Sequence, residues 1–133
     1  MDTETSDKKY ILLVEDDPSL QKACKFKFET KGIDLRVIGD GQEMKDFIKQ
    51  NTKDLPAVVV LDLILPHVGG IEILNEMRNI EEWKDIPVVI LTNITQIIDL
   101  EHLRQLGVKD YLIKADITLD KAVDKILSYY NNE

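Results

Sequence analysis

The sequence predicts an α/β fold, a parallel sheet wound on both faces by helices, and three observations predict it. Five short β-like runs alternate with five amphipathic segments along 133 residues. The strongest runs are almost entirely apolar, without the in–out alternation of a half-exposed strand, which suits strands covered on both faces. Each run is followed by a segment with apolar residues at helical spacing. This repeated βα order is that of a parallel sheet with right-handed crossovers.

Met1–Lys8 is polar and is expected to be a flexible terminus, with the ordered domain over 9–130 and a tail at 131–133. Tyr10–Val14 is the first strand. Pro18-Ser19 opens a helix in which Leu20, Cys24 and Phe28 recur at helical spacing until Gly32 stops it. Leu35–Ile38 is a weaker strand, and Gly41–Thr52 a helix carrying Met44, Phe47 and Ile48 on one face. Ala57–Leu61 is the third strand, followed by a helix over Gly70–Ile80 with Ile71, Leu74 and Met77 inward. Val88–Leu91 leads into Thr95–Leu106, where Ile97 or Ile98, Leu100 and Leu103 form the apolar stripe and Gly107 the stop. Tyr111–Ile113 is the last strand. Thr118 caps a final helix with Ala122, Val123, Ile126, Leu127 and Tyr130 inward. Trp83, in the polar connection EEWKD, is given no role, and His67 reads as an exposed loop imidazole.

Composition narrows the function. Hydrophobic residues make up 44% and charged residues 32%, an ordinary globular balance. The apolar run Ala57–Leu61 is far short of the ~18 residues that span a bilayer. The N-terminus has no apolar h-region, so a cytoplasmic location and no membrane partner are expected. With 17 basic and 25 acidic residues the net charge is −8, which argues against direct nucleic-acid binding by this domain. A single Cys24 and two distant histidines make neither a disulfide nor a zinc cluster, and Cys24 is expected to fill the core.

The informative residues are those that end the strands. Val14 is followed by Glu15-Asp16-Asp17, Leu61 by Asp62, Leu91 by Thr92 and Ile113 by Lys114. In a parallel sheet these ends share one edge, where open α/β folds bind ligands. Three carboxylates held close together repel unless a cation intervenes. Hard oxygen donors with open positions suit Mg²⁺ (or Mn²⁺), and Lys114 completes the charge balance. A phosphoryl group on Asp62 is then plausible, since metal and ammonium neutralise its oxygens and carboxylates are known phosphoryl acceptors. Asp17 is left to cap the first helix.

The segments ILLVEDDPSL, VVVLDLILPHVGGIEIL, VVILTN and GVKDYLIKAD, in that order and spacing, resemble the receiver domain of two-component response regulators over about residues 8–130. The resemblance implies a flavodoxin-like (βα)₅ fold with strand order 2-1-3-4-5. It implies that Asp62 takes a phosphoryl group from a phosphohistidine on a sensor histidine kinase or phosphotransfer protein. Asp16 becomes a direct metal ligand and Glu15 one through water, with Asp62 and the backbone carbonyl of Ile64 completing the set. Lys114 pairs with the aspartate and then with the phosphoryl oxygens, Thr92 is the switch hydroxyl, and Tyr111 is the aromatic that follows it. On this reading the protein is a phosphoacceptor rather than an enzyme, catalysing only its own phosphotransfer and slow dephosphorylation. Its fourth-helix, fifth-strand and fifth-helix surface then binds a downstream partner or a second copy of the chain. The few residues after Tyr130 leave no room for an output domain, so the chain either signals by binding or continues in a longer protein.

Three departures from the family pattern stand out. Receivers usually carry proline after the lysine in a cis peptide, whereas Ala115 stands here, and a cis bond is expected all the same. Asn93 follows the switch threonine where a smaller residue is common, which narrows access for the phosphoryl group. Ile64 and Ile94, which border that group, are both apolar and cannot orient water, so dephosphorylation is expected to be slow.

Three rival functions remain. A nucleotide- or flavin-binding protein would not place Glu15-Asp16-Asp17 where phosphate sits, and no G-x-x-x-x-G-K-[ST] motif occurs. A phosphatase would want a second acid where Ile64 stands. A receiver-like adaptor that binds partners without being phosphorylated is the third, and the intact acidic set argues against it.

Overall fold

A computed structural model describes residues 9–95 and 100–131. Five parallel strands, β1 (Tyr10–Val14), β2 (Asp34–Ile38), β3 (Val58–Leu61), β4 (Val88–Thr92) and β5 (Val108–Ile113), form one sheet in the order β2-β1-β3-β4-β5. The helices are α1 (Pro18–Glu29), α2 (Gly41–Gln50), α3 (Gly70–Arg78), α4 (Leu100–Gln105) and α5 (Leu119–Tyr130). Alternate residues of the strands face opposite layers, as the two-residue period of a strand requires. Leu12, Val14, Val59, Leu61 and Ile90 pack with Met44, Ile48, Ile73, Leu74 and Met77 of α2 and α3. Ile11, Leu13, Val58, Val60 and Leu91 pack with Cys24 and Phe28 of α1 and Ala122, Val123 and Ile126 of α5. The sheet is therefore covered on both faces, and its three central strands are buried along their whole length.

Local chemistry sets the helix starts. The Asp17 carboxylate accepts from the Ser19 N–H ahead of Pro18, Asp40 accepts from the Gln42 and Glu43 N–H groups, and the Thr118 hydroxyl accepts from Lys121 N–H. Gly32 and Gly107 adopt positive φ where the chain turns back toward β2 and β5.

Several boundaries and faces differ from those predicted. The α2 helix ends at Gln50 and α3 at Arg78, a turn or less short of Thr52 and Ile80. Ile71 is exposed and Ile73 takes the core position, because the helix is rotated to keep Ile73, Leu74 and Met77 on one stripe. The β5 strand begins at Val108 rather than Tyr111. It is an edge strand, so Lys109 faces solvent and the apolar run looks shorter than the strand. The α4 helix is described from Leu100, and Thr95 lies outside it, exposed. Ile97 and Ile98 fall outside the described residues, as do Met1–Lys8 and the last two residues of the tail. Trp83 is fully buried against Phe47, which the polar residues around it concealed. Cys24 fills the core as expected, and burial pushes its thiol up to about 11.

Tyr10 shows how the core meets the N-terminal edge of the sheet. It is buried, donates from its hydroxyl to the Asp54 carbonyl at 2.6 Å, and carries the Arg36 guanidinium 3.8 Å from its ring centre. Burial first, and the Asp54 charge second, push its phenol from 10.0 to about 12. A folded-state pKa above the unfolded one gives stability that is complete below the unfolded pKa and is lost as the pH rises through the folded value. Wild type should therefore lose stability steeply above pH 10, while a Tyr10→Phe variant should show a flatter decline over the same range. Urea midpoints at about pH 9 and about pH 11 check this, and parallel declines in the two proteins would refute it.

Candidate functional site: an acidic notch at the carboxyl edge of the sheet

The register brings the strand-ending residues together. Val14 lies opposite Leu61, Leu61 opposite Ile90, and Thr92 opposite Ile113. Glu15, Asp62, Thr92 and Lys114 therefore leave four adjacent strands at one edge. Glu15, Asp62 and Thr92 are the buried polar side chains among the described residues.

Both oxygens of Asp62 are held. The Thr92 hydroxyl donates to Oδ1 at 2.7 Å and the Ile64 N–H donates to the same oxygen at 3.1 Å. Lys114 Nζ donates to Oδ2 at 2.7 Å and also lies 2.6 Å from Glu15 Oε1. The ammonium thus bridges two buried carboxylates. Burial works against its charge, but the bonds to Asp62 and Glu15 outweigh that and raise its pKa. Glu15 shows the opposite balance: burial raises its pKa despite Lys114 and the Asp17 N–H that its other oxygen accepts.

The notch fits a divalent cation. Glu15, the exposed Asp16 and Asp62 each bring a carboxylate oxygen within 4.8 Å of the others. Glu15 Oε1 is buried, with the Lys114 ammonium 2.6 Å away as its ion-pair partner and no further hydrogen bond. A buried oxygen with uncommitted lone pairs among like charges is what a hard cation would satisfy.

The loop after Asp62 is shaped by glycines and by α2. A Cβ at Gly41 would stand 1.7 Å from the Val68 carbonyl oxygen, and one at Gly70 would stand 2.5 Å from the Asp62 carbonyl oxygen. Gly41 N–H donates to the Pro66 carbonyl at 3.1 Å. Neither glycine was singled out in the sequence as part of the site; the doublet Gly69-Gly70 and the glycine after Asp40 were the available signals. His67 is exposed as expected, has φ 71°, and its Nδ1 meets the Asp40 carboxylate at 2.5 Å. Asp40 is held below the ordinary carboxylate range by the Glu43 N–H first and by His67 second.

The remaining predicted positions surround the notch. Ile64 is exposed and Ile94 half-buried, so the flank is apolar as the residue types implied. Tyr111 is half-buried and donates from its hydroxyl to the Ile94 carbonyl at 3.0 Å, which ties β5 to the segment after Thr92. Asn93 and Ala115 are exposed at the rim, and Asn93 Oδ1 accepts from the Ala115 N–H at 3.1 Å. The cis peptide expected between Lys114 and Ala115 is not found: every described peptide bond is trans. A cis bond before a residue other than proline costs ~2.5–4 kcal/mol, and the lysine reaches both carboxylates without it.

This arrangement defines a class of protein, a doubly wound α/β domain with an acidic pocket at the carboxyl edge of its sheet. The chain belongs to the response regulator receiver domain family of two-component systems, matching it over residues 11–126. It is 34% identical to the "probable methanogenesis regulatory protein FilR2" of Methanothrix harundinacea, across 96% of this chain and 86% of that protein. It is 35% identical to the DNA-binding response regulator MtrA of Mycolicibacterium smegmatis, across 78% of this chain but 43% of that protein. The chain thus spans less than half of MtrA, whose name assigns DNA binding to the whole protein. The phosphorylated cyanobacterial phytochrome response regulator RcpA superposes with a TM-score of 0.81 at 27% identity, covering 94% of this chain and 95% of that one. The Mn²⁺-bound form of the response regulator Rcp1 superposes with a TM-score of 0.77 at 32% identity, covering 93% and 95%. No described helix is long and apolar enough to cross a membrane.

Proposed function

We propose that this receiver domain accepts a phosphoryl group on Asp62 from a phosphohistidine of a sensor histidine kinase or phosphotransfer protein. The observation that carries the reading is the triple restraint on one buried carboxylate by Thr92, Lys114 and the Ile64 N–H. A lone pair of an Asp62 oxygen forms the new P–O bond while the P–N bond breaks and its electron pair leaves with the imidazole, which takes a proton from solvent. Glu15, Asp16, Asp62 and the Ile64 carbonyl would hold Mg²⁺ or Mn²⁺, which supplies charge neutralisation for the phosphoryl oxygens. Lys114 is already within hydrogen-bond reach of Asp62 and carries a fixed positive charge to the same oxygens.

Phosphorylation gives the Thr92 hydroxyl a more strongly charged acceptor than the carboxylate oxygen it now serves. Movement of Thr92 releases its strand end, and Tyr111, bonded to the Ile94 carbonyl two residues beyond, is placed to respond. The surface of α4, β5 and α5 then changes its affinity for a downstream protein or a second copy, a bistable element biased by a local charge. The domain acts as a switch, with no substrate turned over beyond its own phosphoryl group.

Incubation with acetyl phosphate and Mg²⁺, followed by intact-mass measurement, tests this directly. Wild type should gain one phosphoryl group and Asp62→Ala none. An unmodified wild-type mass would favour the adaptor that binds partners unphosphorylated. Once formed, the acyl phosphate should be lost slowly, because neither Ile64 nor Ile94 can bond an attacking water. Ile64→Asn should hydrolyse faster, and rapid loss from wild type with no gain in the variant would contradict this.

A further inference from the structure

Ala115 gives the backbone a donor that the usual proline lacks, and that N–H is bonded to Asn93. The two residues follow Thr92 and Lys114 on neighbouring strands whose last paired residues are Thr92 and Ile113. The Asn93 side chain therefore extends the β4–β5 ladder one step past the end of the backbone pairing. Apart from the ion pairs of the Lys114 ammonium with Glu15 and Asp62, little else restrains that step. Residues Lys114–Asp116 form a single turn with no buried residue and no side-chain cap. Lys114 and Asn93 border a cavity of about 350 Å³ that Leu20, Leu91 and Ile117 also line.

We propose that Asn93 is a positioning residue for phosphoryl transfer: by accepting from the Ala115 N–H it fixes the turn after β5 and aims the Lys114 ammonium at Asp62. The proposal rests on the phosphoacceptor reading above. A lysine side chain has four rotatable bonds, so its reach is set by where its backbone is anchored. A proline ring anchors that backbone by restricting φ; here a hydrogen bond from the preceding strand does so. The bond also joins the residue after the switch hydroxyl to the residue after the lysine, so the two groups that meet the phosphoryl oxygens keep one spacing.

A double-mutant cycle on the full chain tests this, with acetyl phosphate and Mg²⁺ and rates read by intact mass. Asn93→Ala should lower the maximal rate roughly three- to tenfold, the worth of one partly solvated hydrogen bond, while half-saturating acetyl phosphate stays unchanged. In an Ala115→Pro background, which has no N–H to accept from, Asn93→Ala should have no further effect. The Ala115 amide resonance should move, and its hydrogen exchange quicken, in Asn93→Ala. Equal factors from Asn93→Ala in both backgrounds, a wild-type rate in that variant, or an unmoved Ala115 amide would each overturn the role. Failure of wild type to take up any phosphoryl group would overturn the phosphoacceptor reading along with it.

Discussion

Lys114→Met is expected to slow the Mg²⁺-dependent phosphorylation of Asp62 by about 10²–10³, the usual loss when one fixed stabiliser of developing charge is removed. Methionine keeps most of the stem, so the substitution removes the ammonium and little packing. The same change should destabilise the cation-free protein by about 3 kcal/mol, because Glu15 and Asp62 are left buried without their shared counter-charge. The wild-type ion pairs raise the lysine pKa, so their contribution holds below its ordinary value of 10.5 and fades as the pH rises past it. Added Mg²⁺ should restore much of the lost stability in the variant, since a cation can take over the neutralising role. Urea unfolding with chelator and with Mg²⁺, beside phosphorylation time courses, measures both effects. A variant that is phosphorylated within a few-fold of wild type would remove Lys114 from the chemistry.

Trp83→Ala is expected to cost about 3–5 kcal/mol, the range for truncating a buried aromatic. Trp83 is fully buried, its indole N–H donates to the Asn51 carbonyl at 2.7 Å, and its ring meets Phe47 edge-on with centroids 6.0 Å apart. Trp83→Phe keeps an aromatic ring but leaves the Asn51 carbonyl unpaired, and should cost less than half as much. Trp83 lies in the connection between α3 and β4, at the opposite edge of the sheet from Asp62. Phosphorylation by folded Trp83→Phe should therefore match wild type to within about twofold, because the sites share no partners. Loss of phosphorylation without loss of stability would show that the two edges are coupled.

Much of this protein was determined by the sequence alone. Tyr10–Val14, Ala57–Leu61 and Val88–Leu91 are so apolar that only a sheet covered on both faces can bury them. Once those strands run parallel, Glu15, Asp62, Thr92 and Lys114 must leave the sheet at one edge, since each ends a strand. The identity of the site was legible for that reason, as were the caps at Asp17 and Thr118, which act on their immediate neighbours. What escaped depends on residues far apart in the chain. The second ion pair of Lys114, with Glu15, the cradle that Gly41 makes for Val68, and the burial of Trp83 against Phe47 are set by packing between elements. Asn93 and Ala115 read as departures from a family pattern; only their placement on adjacent strand ends made them a bonded pair. Local pattern specifies which face a residue prefers, whereas distances between side chains from different elements are decided by how those elements pack.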